Sequence, residues 1–215
     1  MEQEKQYTPS QEDLEQLMRD AELGDAEAQC SLAQCYARGW GVETDLNTAF
    51  YWYAKAAEQG KAAAQFNLGQ YYNMYTQDYK QAAKWFALAA EQGHMYAQHN
   101  LATLYYQGQG VRRNYKKAAC LFEKAAEQGV VPAMSFIGTC YDFGKGVPCN
   151  MEKAVYWFSK AAEKGDAVAQ YNLASCYENG NCVVLDVDKA VYWYTKAAEQ
   201  GIDVEEELER LKNND

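Results

Sequence analysis

The side chains best suited to chemistry are few and widely spread. They comprise two histidines, His94 and His99, seven cysteines, and a carboxylate that returns at Glu58, Glu91, Glu127, Glu163 and Glu199. Histidines five apart fall on different helix faces, so they do not make the i, i+4 pair of an HExxH zinc site. His94 is expected at the surface. His99 is expected on the outer or concave face of its helix, as decoration rather than as a base. The cysteines show no CxxC pair and no zinc-ligand spacing. Gly108-Gln109-Gly110 resembles a phosphate-cradling loop, yet the same pattern stands at Gly39-Trp40-Gly41 and Gly144-Lys145-Gly146, which marks it as architecture. No GxSxG elbow, Walker loop or dinucleotide fingerprint occurs. The glutamates recur once per repeat, roughly 10 Å from one to the next, too far to share an ion. Lys55, Lys124, Lys160 and Lys196 precede four of them by three residues, so a solvated ladder of ion pairs is expected. No catalytic residue, cofactor or metal ligand emerges, and a non-enzyme is expected.

Elements that could position any of these groups come from an internal repeat. Ala-Ala-Glu-Gln-Gly ends at Gly60, Gly93, Gly129 and Gly201, and Ala-Ala-Glu-Lys-Gly ends at Gly165, at intervals of 33, 36, 36 and 36 residues. Five units follow: 25–60, 61–93, 94–129, 130–165 and 166–201. Each opens with an apolar row at a spacing of four: Ala28, Leu32 and Tyr36, then Ala64, Leu68 and Tyr72. The row returns as Ala97, Leu101 and Tyr105, as Ala133, Ile137 and Tyr141, and as Ala169, Leu173 and Tyr177. Residues four apart share one helix face, so this row is a buried stripe, widened by Cys35, Tyr71, Leu104, Cys140 and Cys176. Equivalent positions in neighbouring units lie roughly 10 Å apart, and a disulfide needs Cα atoms within about 7 Å, so Cys140 and Cys176 should stay free thiols.

A glycine-bearing turn closes the first helix, with a valine placed to tuck back. It is shortened by three residues at Met74-Tyr75-Thr76-Gln77 and lacks its second glycine at Gly180-Asn181-Cys182. The second helix starts at Asp45, Asp78, Asn114, Asn150 and Asp186, all good N-cap types. It then carries Ala49, Trp52 and Tyr53 or their counterparts on one face. Ser10 to Asp13 reads as the start of a lone helix with Leu14, Leu17, Met18 and Ala21 on one side. Val204, Leu208 and Leu211 line a last short helix. Residues 1–24 are therefore a tail and capping helix, and 202–215 a closing helix and tail.

Hydrophobic residues make up 48% of the 215 and aromatic residues 14%, enough for a core, while the formal charge is −10. Phosphate neutralisation needs a basic stripe, and no Lys/Arg run exceeds two, so nucleic acid is disfavoured. The charged start at Met1 to Gln6 has no apolar segment behind it, and no stretch approaches the roughly 18 apolar residues that span a bilayer. A cytoplasmic protein without direct membrane insertion is expected; oligomeric state is left open.

The A-x3-L-x3-Y helix, GxGV turn, D-x3-A-x2-W-[YF] helix and KAAEQG ending resemble the Sel1-like repeat family, relatives of tetratricopeptide repeats, over residues 25–201. The resemblance implies an all-α, right-handed α-solenoid of antiparallel helix pairs. It also implies a non-catalytic scaffold or adaptor that binds a protein or peptide. If the first helices line the concave face, as in similar solenoids, Asn67, Asn100, Phe136 and Asn172 stand on the ligand side beside His99. Phe66, Tyr106, Phe143 and Tyr171 would add aromatic anchors, and asparagine offers both a donor and an acceptor to a peptide backbone. Two alternatives stay open. One is a secreted, cysteine-rich relative that binds or hydrolyses β-lactams, although its paired junction cysteines are missing. The other is a thiol-based redox regulator using Cys149 or Cys182.

Overall fold

A computed structural model describes residues 9–212. The amino-terminal segment considered above for a signal lies outside them. The described residues form twelve α-helices, one π-turn and no strand, an all-α helical repeat fold. None of these helices is long and apolar enough to cross a membrane. The chain divides into two compact units. The first runs to Leu104 and includes Gln109–Arg112; the second comprises Tyr105–Gly108 and everything from Arg113 onward.

The first unit holds α1 (Gln11–Glu22), α2 (Ala26–Arg38), α3 (Leu46–Glu58), α4 (Ala62–Tyr71), α5 (Tyr79–Glu91) and most of α6 (Met95–Gln107). Every start but that of α4, where Lys61 makes no capping bond, has a local cause. Ser10 and Asp13 form a reciprocal capping box on α1, and Asp45 accepts from the N–H groups of Asn47 and Thr48 on α3. The ends are equally determined. Gly60, at φ 90°, lets its own N–H reach Ala57 O and the Lys61 N–H reach Ala56 O, the paired bonds of a Schellman motif. Leu14 and Ala21 of α1 are buried against Ala28, Leu32 and Cys35 of α2, so the first helix covers a face that would otherwise meet water.

The shortened turn after α4 has no glycine. The helix instead widens into a π-turn over Tyr72–Thr76, and Gln77 takes the left-handed backbone at φ 54°. The stripe is shallower at its tyrosines than the spacing suggests: Tyr71 is half-buried, as are Tyr36, Tyr72, Tyr105 and Tyr177, while Tyr141 is buried.

The second unit holds α7 (Tyr115–Glu127), α8 (Val131–Phe143), α9 (Met151–Glu163), α10 (Ala167–Asn179), α11 (Val187–Ala198) and α12 (Glu205–Lys212). Asn114, Asn150 and Asp186 cap α7, α9 and α11 as their types require. The second glycine of the turn motif has a steric cause. A Cβ on Gly146 would lie 2.1 Å from the Tyr115 carbonyl oxygen, so the turn lies directly on the start of α7. Cys182, which replaces that glycine between α10 and α11, adopts φ 55°. At the far end Val204, Leu208 and Leu211 pack on Ala174, Ala190 and Tyr194.

Two side-chain expectations change. The tryptophans sit shallower than their neighbours: Trp52, Trp85 and Trp193 are half-buried and Trp157 is 7% exposed, whereas Phe86, Phe122, Phe158 and Tyr194 are sealed. The next residue along a helix is rotated by about 100°, and here that rotation turns it into the seam. Two of the four rungs of the lysine–glutamate ladder are replaced. Lys55 lies 4.8 Å from the Tyr51 ring centre and Lys160 4.7 Å from that of Tyr156, while Lys196–Glu199 makes the expected pair at 2.7 Å. A tyrosine four residues earlier presents its π face to the ammonium, which competes with an exposed carboxylate.

One polar device was not foreseen. The glutamines of the Ala-Ala-Glu-Gln-Gly endings and those following the first-helix alanines form amide pairs in which the first-helix member is buried. Gln59 donates to Gln29 Oε1 at 2.8 Å and to Gly24 O at 3.0 Å; Gln29 donates to Ala21 O at 3.0 Å. Gln92 repeats this with Gln65 and Gly60, and Gln65 with Ala57. Gln200 pairs with Gln170, which reaches Ala162. Each pair ties the end of one helix pair to the next and satisfies carbonyls that the helix end leaves over.

Close approach also selects residues. A Cβ on Gly138 of α8 would sit 2.6 Å from the Phe158 ring, and one on Gly69 of α4 2.6 Å from the Phe86 ring. Gly138→Ala should therefore destabilise the fold by about 1–3 kcal/mol through overpacking, despite alanine's better helix propensity. Urea denaturation tests this; an unchanged or higher midpoint would show that the ring has room to move.

Candidate functional site

The first-unit surface with the form of a site is a cleft of about 320 Å³ lined from α2, α3, α4 and the π-turn. Gln34 of α2 and Asn67 and Gln70 of α4 bring three primary amides to it. Tyr71, Met74 and Tyr75 supply an apolar rim, the last two 64% and 60% exposed. The rim exists because the shortened turn continues as a π-helix rather than closing on glycine. Tyr71 packs on Phe50 of α3 at 4.4 Å and on Tyr75 at 5.4 Å between ring centres. Arg38, also in the lining, holds its guanidinium 4.6 Å from the Trp40 ring centre. This arrangement offers donors and acceptors to a peptide backbone and an aromatic surface to its side chains.

The other first-unit candidates have different settings. Phe66 is half-buried, stacked on His94 at 4.5 Å and 6.0 Å from Phe86, so it belongs to an aromatic cluster rather than standing free. His99 and Asn100 are half-buried on α6, and burial lowers the His99 pKa.

In the second unit, Tyr106 and Phe136 come together in a small pocket of about 150 Å³ with Thr139 and Val168. Phe136 stacks on Phe122 at 4.8 Å with planes 6° apart, and the Tyr106 hydroxyl accepts from Lys145 at 3.0 Å. Phe143 is 68% exposed, with Lys145 5.6 Å from its ring centre. Tyr171 is committed elsewhere: its hydroxyl donates to Glu207 of α12 at 2.7 Å and its ring packs on Tyr194. It anchors the closing helix. Asn172 is half-buried beside it. Of the nine expected residues, the structure thus places Asn67 in one cleft and pairs Tyr106 with Phe136 in another pocket. Gln34, Gln70 and Tyr75 were missed; the helical spacing of 67, 70, 71 and 74 would have marked Gln70, but Gln34 comes from another helix and Tyr75 from the π-turn.

Among the described residues no cluster of three or more His, Cys, Asp or Glu is arranged to hold a metal. The seven cysteines are free thiols. Burial raises Cys30 and Cys35 and pushes Cys140 and Cys176 up to about 11, which disfavours the nucleophilic thiolate.

Comparison with known proteins agrees with this architecture. The Sel1 repeat family model matches at residues 26–61, 62–94, 96–130, 131–166 and 167–202. A Sel1 repeat protein from Oxalobacter formigenes is similar in structure, with a TM-score of 0.81 and 38% identity over 91% of this chain and 82% of that one. The c5321 protective antigen of uropathogenic Escherichia coli strains gives a TM-score of 0.80 and 38% identity over 87% of this chain. This chain spans 41% of that antigen's length. A search of curated proteins returns no significant match.

His94, expected at the surface, is half-buried and caps α6: its Nδ1 accepts from the Ala97 N–H at 3.3 Å, as Asp25 and Asp166 do for Ala28 and Ala169. Only the neutral ring can accept there, and burial lowers its pKa below the usual 6.5. The unfolded chain therefore binds more protons between that lowered value and 6.5, and stability is lost as pH falls through this window. His99 shifts in the same direction and adds to the loss. His94→Asp should reduce the drop in denaturation midpoint between pH 7 and 5, leaving the His99 share; an identical profile would refute the cap.

Proposed function

The chain belongs to the Sel1 repeat family, and on that premise we propose that it is a non-catalytic scaffold whose α2–α4 cleft grips an extended segment of a partner polypeptide. Sel1 repeat proteins serve in general as protein-interaction scaffolds. The observation that carries the finer reading is the convergence of Gln34, Asn67 and Gln70 on one open cleft beside the exposed Met74 and Tyr75. Amides at helical spacing can bond successive backbone groups whatever the side chains are, and the apolar rim adds burial. Asn100, Phe136, Phe143 and Asn172 also stand on first helices and would offer surfaces of their own with similar chemistry. The formal charge of −10 favours encounter with basic partners.

Chemistry has little support from the side chains. His94 is occupied as a helix cap, and the buried thiols are held in the protonated form.

The test is selection of peptides on the full chain from a random display library, followed by calorimetric titration of an enriched peptide. Gln34→Ala, Asn67→Ala and Gln70→Ala together should weaken binding at least about tenfold, with Tm kept within about 2 °C. Undiminished affinity in the triple variant, or peptides that bind a different surface, would remove the cleft from the proposal.

A further inference from the structure

The amide pairs that join neighbouring helix pairs are interrupted at one place, and both partners change there together. Gln29, Gln65 and Gln170 each hold a glutamine partner in Gln59, Gln92 and Gln200. In the α8–α9 pair the corresponding residues are Met134 and Lys164. A thioether cannot donate, and an exposed ammonium does not reproduce a planar amide. Beside these two residues the structure has a cleft of about 570 Å³, lined by both of them.

The rest of the lining shows what is missing. Ala126 and Gly129 border the cleft; their counterparts Ala57 and Gly60 give their carbonyls to the Gln65 and Gln92 amides. They form the carboxyl end of α7, where the helix dipole is negative. Glu127 and Glu163 also line it and offset Lys160 and Lys164, so the helix end leaves the balance negative. Tyr156 and Trp157 provide aromatic walls; Lys160 lies 4.7 Å from the Tyr156 ring centre and 6.0 Å from that of Trp157, the place an entering guanidinium would take over. The site calls for planar N–H donors, positive charge and a methylene stem against Met134.

We propose that this cleft at the end of α7 receives an arginine side chain of a partner polypeptide, whose guanidinium takes the place of the missing amide pair. A guanidinium meets all three demands at once, whereas a lysine ammonium lacks the planar fork. The overall charge of −10 favours a basic partner. The proposal is independent of the α2–α4 cleft and can fail without affecting it.

The experiment is a titration of the ¹⁵N-labelled full chain with acetyl-Gly-Arg-Gly-amide, following the Trp157 indole N–H resonance assigned through Trp157→Phe. A saturable shift in the millimolar range is expected, at least about tenfold weaker for the lysine counterpart. Met134→Gln with Lys164→Gln rebuilds the amide pair, and should abolish the response while raising Tm. If that variant does not fold, Glu127→Gln with Glu163→Gln changes only exposed side chains and should weaken binding about tenfold. No saturable shift, an equal response to lysine, or an undiminished response in the folded variant tested would overturn the assignment.

Discussion

A pair of short antiparallel helices has more apolar surface than it can hide within itself. The sequence puts Ala and Leu or Ile on one face of each first helix and an aromatic residue on the facing side of each second helix, and neighbouring pairs must cover what is left. Phe86, Phe122, Phe158 and Tyr194 are sealed by that arrangement. Each residue of this kind contributes about 1.5–3 kcal/mol when fully buried. The alanines flanking them, 0–2% exposed at Ala56, Ala57, Ala125 and Ala126, keep the helices close enough for those rings to fill the space. At α8 and α4 even alanine is too large, and glycine lets the ring rest on the helix backbone. The ends require their own solution: α1 and α12 each spend one apolar side on the adjacent pair and turn charged residues outward.

Stacking in this way brings helix ends, with their surplus carbonyls, into the seam. The glutamine pairs answer that requirement, with two amides satisfying each other and the backbone of the preceding pair. A half-satisfied network is worse than none, which gives a physical reason for the joint change at Met134 and Lys164. Losing one glutamine alone would leave the other buried amide without its partner.

Function in such a fold resides where the regular pattern is free to vary. The core positions and caps are tied to stacking, and so is the turn where its second glycine rests on a neighbouring helix, as Gly146 does on Tyr115; the turn after α4 has no such glycine. The three-residue deletion after α4 turns a glycine turn into a π-helix and places Tyr71, Met74 and Tyr75 on the rim of the amide-lined cleft. Repetition supplies a frame, and departures from it distinguish one surface from another. This agrees with a scaffold whose chemistry is recognition.

The sequence by itself determined the helix pairs, the caps of the second helices and the Ala and Leu or Ile positions of the buried first-helix stripe. Those features depend on neighbours three or four residues away and on cap chemistry within a single turn. Only the tertiary structure decided the rest. His94 was drawn into a cap and an aromatic stack with Phe66, Tyr171 was claimed by Glu207, and Lys55 and Lys160 turned to tyrosine rings instead of their glutamates. Gln29 found Gln59, thirty residues away. Periodicity assigns a side chain to a face, but its partner on that face comes from another helix, and competition among packing, hydrogen bonding and solvent is settled only when the two surfaces meet.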